Sequence, residues 1–222
     1  NNYTSIQIGE NSSLNNYIIQ SNKSKGFYYK FLKGKQDKNS SFENYIFSSG
    51  LKFNKVEIEI DINGEEANCI IQSGLYLDFD CHQEIKTLIN HLKPNSKSYQ
   101  KIKKVLNKNS KGNYQGKIFV KDVAQKTNAY QLSKALLLDE GSEFNAKPEL
   151  EIYADDVKCS HGSTSGNMNE DSIFYLMTRG ISRKNALELL TKAFLNETTN
   201  SISNLDIKKF IEKKLEGQIY GN

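Results

Sequence analysis

Tryptophan is absent from this 222-residue chain, proline and methionine occur twice each, and cysteine occurs three times. Each scarcity excludes something. Cys69, Cys81 and Cys159 form an odd set with no close pair, so neither a disulfide framework nor a closed four-ligand zinc site is expected. A reducing compartment fits better. No run of about 18 apolar residues exists, so no membrane span is expected. The opening Asn1-Asn2-Tyr3-Thr4 lacks a basic start followed by an apolar stretch, so no signal peptide is expected, and the missing initial Met suggests a fragment or trimmed chain. The formal net charge is only +4, with lysines interspersed among acids apart from Lys101-Ile102-Lys103-Lys104, Lys208-Lys209 and Lys213-Lys214. A concentrated basic face for nucleic acid is therefore not expected. The chain contains no phosphate loop, dinucleotide fingerprint, nucleophile elbow or His-Glu-x-x-His. ATP hydrolysis and standard nucleophilic catalysis by this chain are not expected.

What is present, from about residue 5 to 165, is alternation. Val56-Glu57-Ile58-Glu59-Ile60-Asp61-Ile62 switches between apolar and acidic positions, and Leu75–Phe79, Ile118–Val120 and Leu150–Tyr153 continue the theme. Such a period buries one face of each strand. Ser-Ser-Gly (48–50), Asn-Gly (63–64), Ser-Gly (73–74) and Glu-Gly-Ser (140–142) read as turns between strands. Many short strands fit a sandwich, a barrel or a solenoid. Scarce proline, no tryptophan and small polar residues inside strand runs favour a solenoid, where such side chains ladder between coils. No clean repeat motif is visible.

After Gly166 the period lengthens. Asn169 caps a helix from Glu170 to Gly180 carrying Ile173, Phe174 and Met177. Ser182 caps a second, with Ala186, Leu189, Leu190, Ala193 and Phe194 on one stripe, and a third over 204–216 aligns Ile207, Phe210, Ile211 and Leu215. The expected division is a β core over residues 1–166 and a helical domain over 167–222. Helices this short must dock, either on their own β body or on a partner.

The chemistry-bearing stretch is Lys147 to Gly162, an alternating strand ending in Asp155-Asp156-Val157-Lys158-Cys159-Ser160-His161-Gly162. On a strand, residues i and i+2 share a face, so Cys159 and His161 can address one metal or one sulfide-bridged iron, a thiolate suiting iron–sulfur or zinc partners and imidazole being accepted by iron as well. Two ligands leave the site incomplete. The alternative is a buried thiol acting as a small hydrophobe beside a histidine satisfied by backbone carbonyls. Asp155 and Asp156 are adjacent and diverge, which favours an Asx-type turn over paired carboxylates. His82 and His91 have no third ligand nearby and read as structural.

Several segments together resemble the SufB/SufD family of iron–sulfur cluster assembly subunits, and within it the SufD branch. They are Ile8–Leu14, Gly74-Leu75-Tyr76-Leu77, His91-Leu92-Lys93-Pro94, Gly116–Val120 with Ala124–Gln131, the Cys159–Gly162 stretch, and Phe174-Tyr175-Leu176-Met177-Thr178-Arg179-Gly180-Ile181. The resemblance spans about residues 5 to 215 and departs at Ser163-Thr164-Ser165, where the family usually has Ala-Thr-Val, and in lacking an N-terminal helical region. It implies a right-handed parallel β-helix followed by a C-terminal helical domain. It further implies a non-catalytic scaffold that pairs with a SufB-like subunit through the β-helix and with a SufC-like ATPase through the helices, or with a second copy of itself when isolated. His161, and more weakly Cys159, would serve a transient iron–sulfur cluster shared with SufB. Phe174, Tyr175, Arg179, Leu189 and Phe194 would serve SufC docking or the helical core. ATP would enter only through SufC, and a flavin in the complex finds no support in this sequence. The implied location is the cytoplasm, or the plastid stroma in a plastid-bearing source. The competing expectation is a β-solenoid enzyme acting on polysaccharides, which needs a groove of carboxylates and sugar-stacking aromatics.

Overall fold

The computed structural model describes residues 1–20, 26–47 and 51–220; the Ser-Ser-Gly turn expected at 48–50 lies outside them. The chain is mainly β, a parallel solenoid of about five turns with three helices after it. Twelve strands alternate between two six-stranded sheets. The first sheet holds β1 (Asn2–Ile8), β3 (Phe27–Gln36), β5 (Phe53–Ile62), β7 (His82–His91), β9 (Lys111–Val120) and β11 (Glu143–Ile152) in that order. The second holds β12 (Lys158–Asn167), β10 (Asn128–Leu137), β8 (Lys97–Leu106), β6 (Asn68–Leu77), β4 (Ser41–Phe47) and β2 (Ser13–Ile19). Every pairing is parallel and each coil advances about 30 residues, as in Phe53 with His82 and His82 with Lys111.

The coils close at stacked corners rather than hairpins. One corner column repeats a left-handed backbone residue, Asn11, Asn39, Glu66, Asn95 and Lys126, each with φ between 52° and 60°. Successive corners bond to each other, Asn39 N–H to Glu65 O and Asn95 N–H to Gln125 O. The residue after each corner is small: Ser12, Ser40, Ala67, Ser96, Thr127. This positional repeat was hidden because its members differ in chemistry, sharing only size and tolerance of a left-handed backbone. Gly64 has a clear backbone reason, since a Cβ there would run into the backbone of Asp37 and Lys38 in the neighbouring corner. The expected turn at Ser73-Gly74 is a correction. Both residues lie inside buried β6, and Gly74 exists because Thr198 and Phe47 press on that spot.

The alternating runs place Val56, Ile58, Ile60 and Ile62 inward against Ile71, Leu75, Ile85 and Ile89. A fully buried aliphatic side chain of this kind contributes about 1.5–3 kcal/mol. The other parity of the second sheet is also buried, because the helical tail folds back over it. Tyr45, Phe47, Tyr76 and Val105 pack with Leu195, Ile202, Ile211, Leu215 and Ile219.

The helices are α1 (Glu170–Thr178), α2 (Arg183–Asn196) and α3 (Leu205–Ile219), capped by Asn169, Ser182 and Asn204 side chains. Gly180, at φ 84°, ends the α1 turn. The buried stripe of α2 is Ala186, Thr191 and Leu195, rotated from the expected one, and Leu189 is left exposed. Phe210 is likewise exposed on α3, where Ile219 takes the place in the core. Docking sets both rotations: Leu195 of α2 and Ile211, Leu215 and Ile219 of α3 pack with the second sheet, while Leu189 lines a groove with Tyr175 and Leu176 of α1. No helix among the described residues is long and apolar enough to cross a membrane.

Candidate functional site

Cys159 and His161 do not end the 147–153 strand. A corner at Ala154–Val157 separates them from β11, and they begin β12 on the opposite sheet. Asp155 and Asp156 form that corner: Lys126 N–H donates to Asp156 O at 2.6 Å, and Asp156 N–H donates to Gln125 Oε1 at 2.9 Å. They therefore serve the stack of turns and do not converge as a carboxylate pair.

β12 pairs only with β10 and is the last strand of its sheet. Its Cys159 parity faces the interior, since Cys159 packs against Ile118, Val120, Ala124, Ala129 and Ala154, and Ser133 Oγ donates to Ser163 Oγ at 2.9 Å. His161 lies between those two positions and shares their side, yet it is exposed because no further coil covers it. Thus the strand does place thiol and imidazole on one face, at the open end of the solenoid. The Cys159 thiol is half-buried, and burial pushes its pKa up, with the Ala129 backbone pulling the other way. It resembles a core neighbour more than a ready thiolate. Cys69 is more extreme, buried and pushed up to about 12 by desolvation.

The remaining histidines are occupied elsewhere. His91 is buried between Ser96 Oγ at 2.7 Å from Nδ1 and Ser98 Oγ at 2.9 Å from Nε2, and burial lowers its pKa to about 4. His82 touches Asn113 Nδ2 at 3.1 Å and Glu84 at 3.3 Å on the outer face of the first sheet. Among the described residues no group of three or more His, Cys, Asp or Glu side chains could hold a metal ion.

The five tail residues divide. Phe174, Tyr175, Arg179 and Leu189 are exposed, whereas Phe194 is half-buried in the tail core with the Lys103 ammonium 4.2 Å from its ring centroid. Between α1 and α2 runs an apolar groove of about 500 Å³ lined by Tyr175, Leu176, Leu189, Leu190 and Ala193. Arg183 ties the two helices with paired 2.7 Å bonds to Glu170.

Sequence reading missed two buried lysines. Lys103 lies under α2, donating to Phe194 O at 3.1 Å and to Glu197, while Lys104 points inward and donates to Gln83 O at 3.3 Å and Asn113 O at 2.6 Å. Desolvation lowers the pKa of both, Lys104 well below the ordinary lysine range. Their adjacency within a basic run disguised them as surface residues.

Thiol and imidazole thus share one face of the last strand at the open end of a parallel solenoid, and the described residues add no third Cys, His, Asp or Glu side chain to them. The family model "SUF system FeS cluster assembly, SufBD core domain" matches residues 1–194, and the chain belongs to that family. It is 32% identical over 163 residues to the iron–sulfur cluster assembly protein SufD of Escherichia coli, covering 72% of this chain and 38% of the relative. It is 31% identical over 202 residues to the SufBD family protein slr0076 of Synechocystis, covering 89% of this chain and 44% of the relative. To the chloroplastic protein ABCI7 of Arabidopsis thaliana it is 27% identical over 220 residues, covering 96% and 45%. The chain thus spans less than half the length of these relatives.

Proposed function

We propose that this chain acts as a non-catalytic scaffold of the SufD kind, contributing His161 to a nascent iron–sulfur cluster that a SufB-like subunit completes. The observation that carries this reading is the exposed, inward-parity His161 on an end strand with a free edge. Iron accepts imidazole and thiolate donors. One or two donors from one chain hold a cluster loosely, which suits cargo that must be handed on. The free edges of β11 and β12 offer unpaired backbone groups to a second sheet, and Ile152 and Tyr153 stand exposed at the same end.

The exposed α1–α2 face, with Phe174, Tyr175 and Leu189 around its groove, is the proposed seat of a SufC-like ATPase, which would be the sole point of entry for ATP. Phe194 belongs to the tail core and supports that face from beneath. The proposed location is the cytoplasm or, in a plastid-bearing source, the stroma, in keeping with bacterial and chloroplastic relatives.

The test is co-expression with SufB-like and SufC-like partners followed by anaerobic cluster reconstitution. His161→Ala should preserve the complex and lose the cluster absorption; full cluster yield from that variant sinks the ligand role. Leu189→Asp should weaken ATPase capture about tenfold or more, as expected for an apolar anchor at the centre of an interface.

A further inference from the structure

The helical tail covers only part of the second sheet. It packs over Tyr45, Phe47, Tyr76 and Val105 and reaches Lys103, whose ammonium pairs with Glu197. Over the rest of β8, β10 and β12 the outward positions are half-buried or exposed, and they carry Lys97, Tyr99, Lys101, Tyr130, Lys134 and Lys158. Their parity is set by Ser98, Gln100 and Ile102, which are buried inside the coil. Tyr99 and Tyr130 are in register on neighbouring strands and stack with centroids 5.4 Å apart, and the Lys101 ammonium lies 5.8 Å from the Tyr99 centroid. Lys103 and Lys134 are in register as well.

Uncompensated charge sets this face apart. On the first sheet, outward lysines meet carboxylates on the neighbouring strand: Lys33 meets Glu59, Lys111 meets Glu143, and Lys117 meets Glu151. By contrast, β8, β10 and β12 contain no Asp or Glu. Among the described residues their outward lysines have one carboxylate within ion-pair distance, Glu197, and buried Lys103 holds it. The Glu197 pKa is lowered chiefly by that bond, with Lys101 and Lys134 adding to the pull, so three ammonium groups surround one carboxylate. Like charges close together on one sheet face repel, and an incoming anion relieves that repulsion.

Size selects the anion. The face runs about 13 Å from Lys97 to Lys101 and about 10 Å from β8 to β12, room for about four residues of extended chain. A nucleic acid tract or a lipid surface would run past these limits, onto exposed Asp155 and Asp156 in the corner before Lys158 and onto Glu197 on the tail side. A short run of carboxylates fits within them and accepts from both lysine ammonium and tyrosine hydroxyl donors. We propose that this face docks a short acidic segment of a partner protein, laid across Tyr99 and Tyr130 with its carboxylates on Lys97, Lys101, Lys134 and Lys158. The proposal rests neither on the ligand role of His161 nor on the α1–α2 groove.

The test titrates the full chain against fluorescein-labelled hexaglutamate and follows anisotropy at low salt. Saturable binding is expected, weakening as added salt screens the surface charges. Lys101→Gln combined with Lys134→Gln should weaken it about fivefold or more, the sum of two partly exposed charge pairs. Lys111→Gln combined with Lys147→Gln removes the same charge from the first sheet, where both lysines already have carboxylate partners, and should change affinity less than about twofold. Absence of saturable binding overturns the proposal, as does full affinity in the Lys101 and Lys134 double variant. Equal weakening by the two double variants overturns it too, because net charge alone would then explain the binding. A thymidine oligonucleotide of equal charge, and vesicles containing phosphatidylserine, complete the comparison. Tighter binding of either one, lost in the Lys101 and Lys134 double variant, would assign the face to nucleic acid or to a membrane and overturn the acidic-segment reading.

Discussion

The outer faces of the two sheets began from the same strand geometry and ended in opposite environments. On the first sheet, outward residues form charged ladders, Lys33 with Glu59 at 2.7 Å, Lys55 with Glu57 at 2.9 Å, and Lys117 with Glu151. On the second, outward Tyr45, Phe47, Tyr76 and Val105 lie under α2 and α3. The first face is satisfied by water and by neighbours along the stack, so its strands show the cleanest alternation. The second needs the tail, and its strands read as near-continuous apolar runs, such as Tyr45-Ile46-Phe47. A solenoid strand buried on both faces therefore announces a covering element, even where the sequence does not say which one.

The sharpest way to break this comparison is Tyr45→Ala. Tyr45 is fully buried, stacks on Tyr17 with centroids 5.2 Å apart, and donates to Glu43 Oε2 at 2.7 Å. Its loss should cost about 3–5 kcal/mol in urea unfolding, as for other large aromatic deletions. A loss under about 1 kcal/mol would show that the tail does not seal this face.

The shared interior supplies a second test through pH. His91 has a folded pKa of about 4 against an ordinary 6.5, a depressed value caused by burial. Between those values the unfolded chain binds the proton and the folded chain does not, so stability falls as pH drops from 6.5 to 4. The full penalty, about 3 kcal/mol, is present below the folded value and absent above the ordinary one. His91→Asn should flatten that slope in unfolding curves taken across the window; an unaltered slope assigns it to other groups.

Gly74→Ala probes the contact between tail and sheet. A Cβ there would lie 2.5 Å from Thr198 Oγ1 and 3.1 Å from the Phe47 ring. Overpacking of this kind costs about 1–3 kcal/mol, and Thr198→Ala in the same background should recover part of it. Absence of recovery would move the strain away from the 198 contact.

The smallest effect belongs to the charged face. Removing Lys33 and Glu59 singly and together should reveal a coupling of about 0.2–1 kcal/mol, since both side chains are partly exposed. A coupling several times larger would mean that the ladders hold the coils together and that the two faces differ less than their burial suggests.

Much of this was legible in the chain. The run Val56–Ile62 is a strand, Asn169 and Ser182 cap the helices they were expected to cap, and scarce proline with small polar residues within strands favoured a solenoid, whose parallel winding was implied by the family resemblance. The corner repeat escaped because left-handed backbone is adopted by Asn, Glu and Lys alike. At the candidate site, the shared face of Cys159 and His161 and a turn at Asp155-Asp156 followed from the chain, while the passage of that turn from one sheet to the other did not, because it depends on the stacking of coils.

By itself the sequence determined what depends on near neighbours: strand period, helix caps and the two-residue spacing of thiol and imidazole. Only the tertiary structure decided what depends on stacking distant coils. It buried Lys103 under a helix and Lys104 inside the coil, and left His161 at an open end. Period two states that a side chain changes sides at each residue; which side is covered is settled by chain that arrives about 30 residues later.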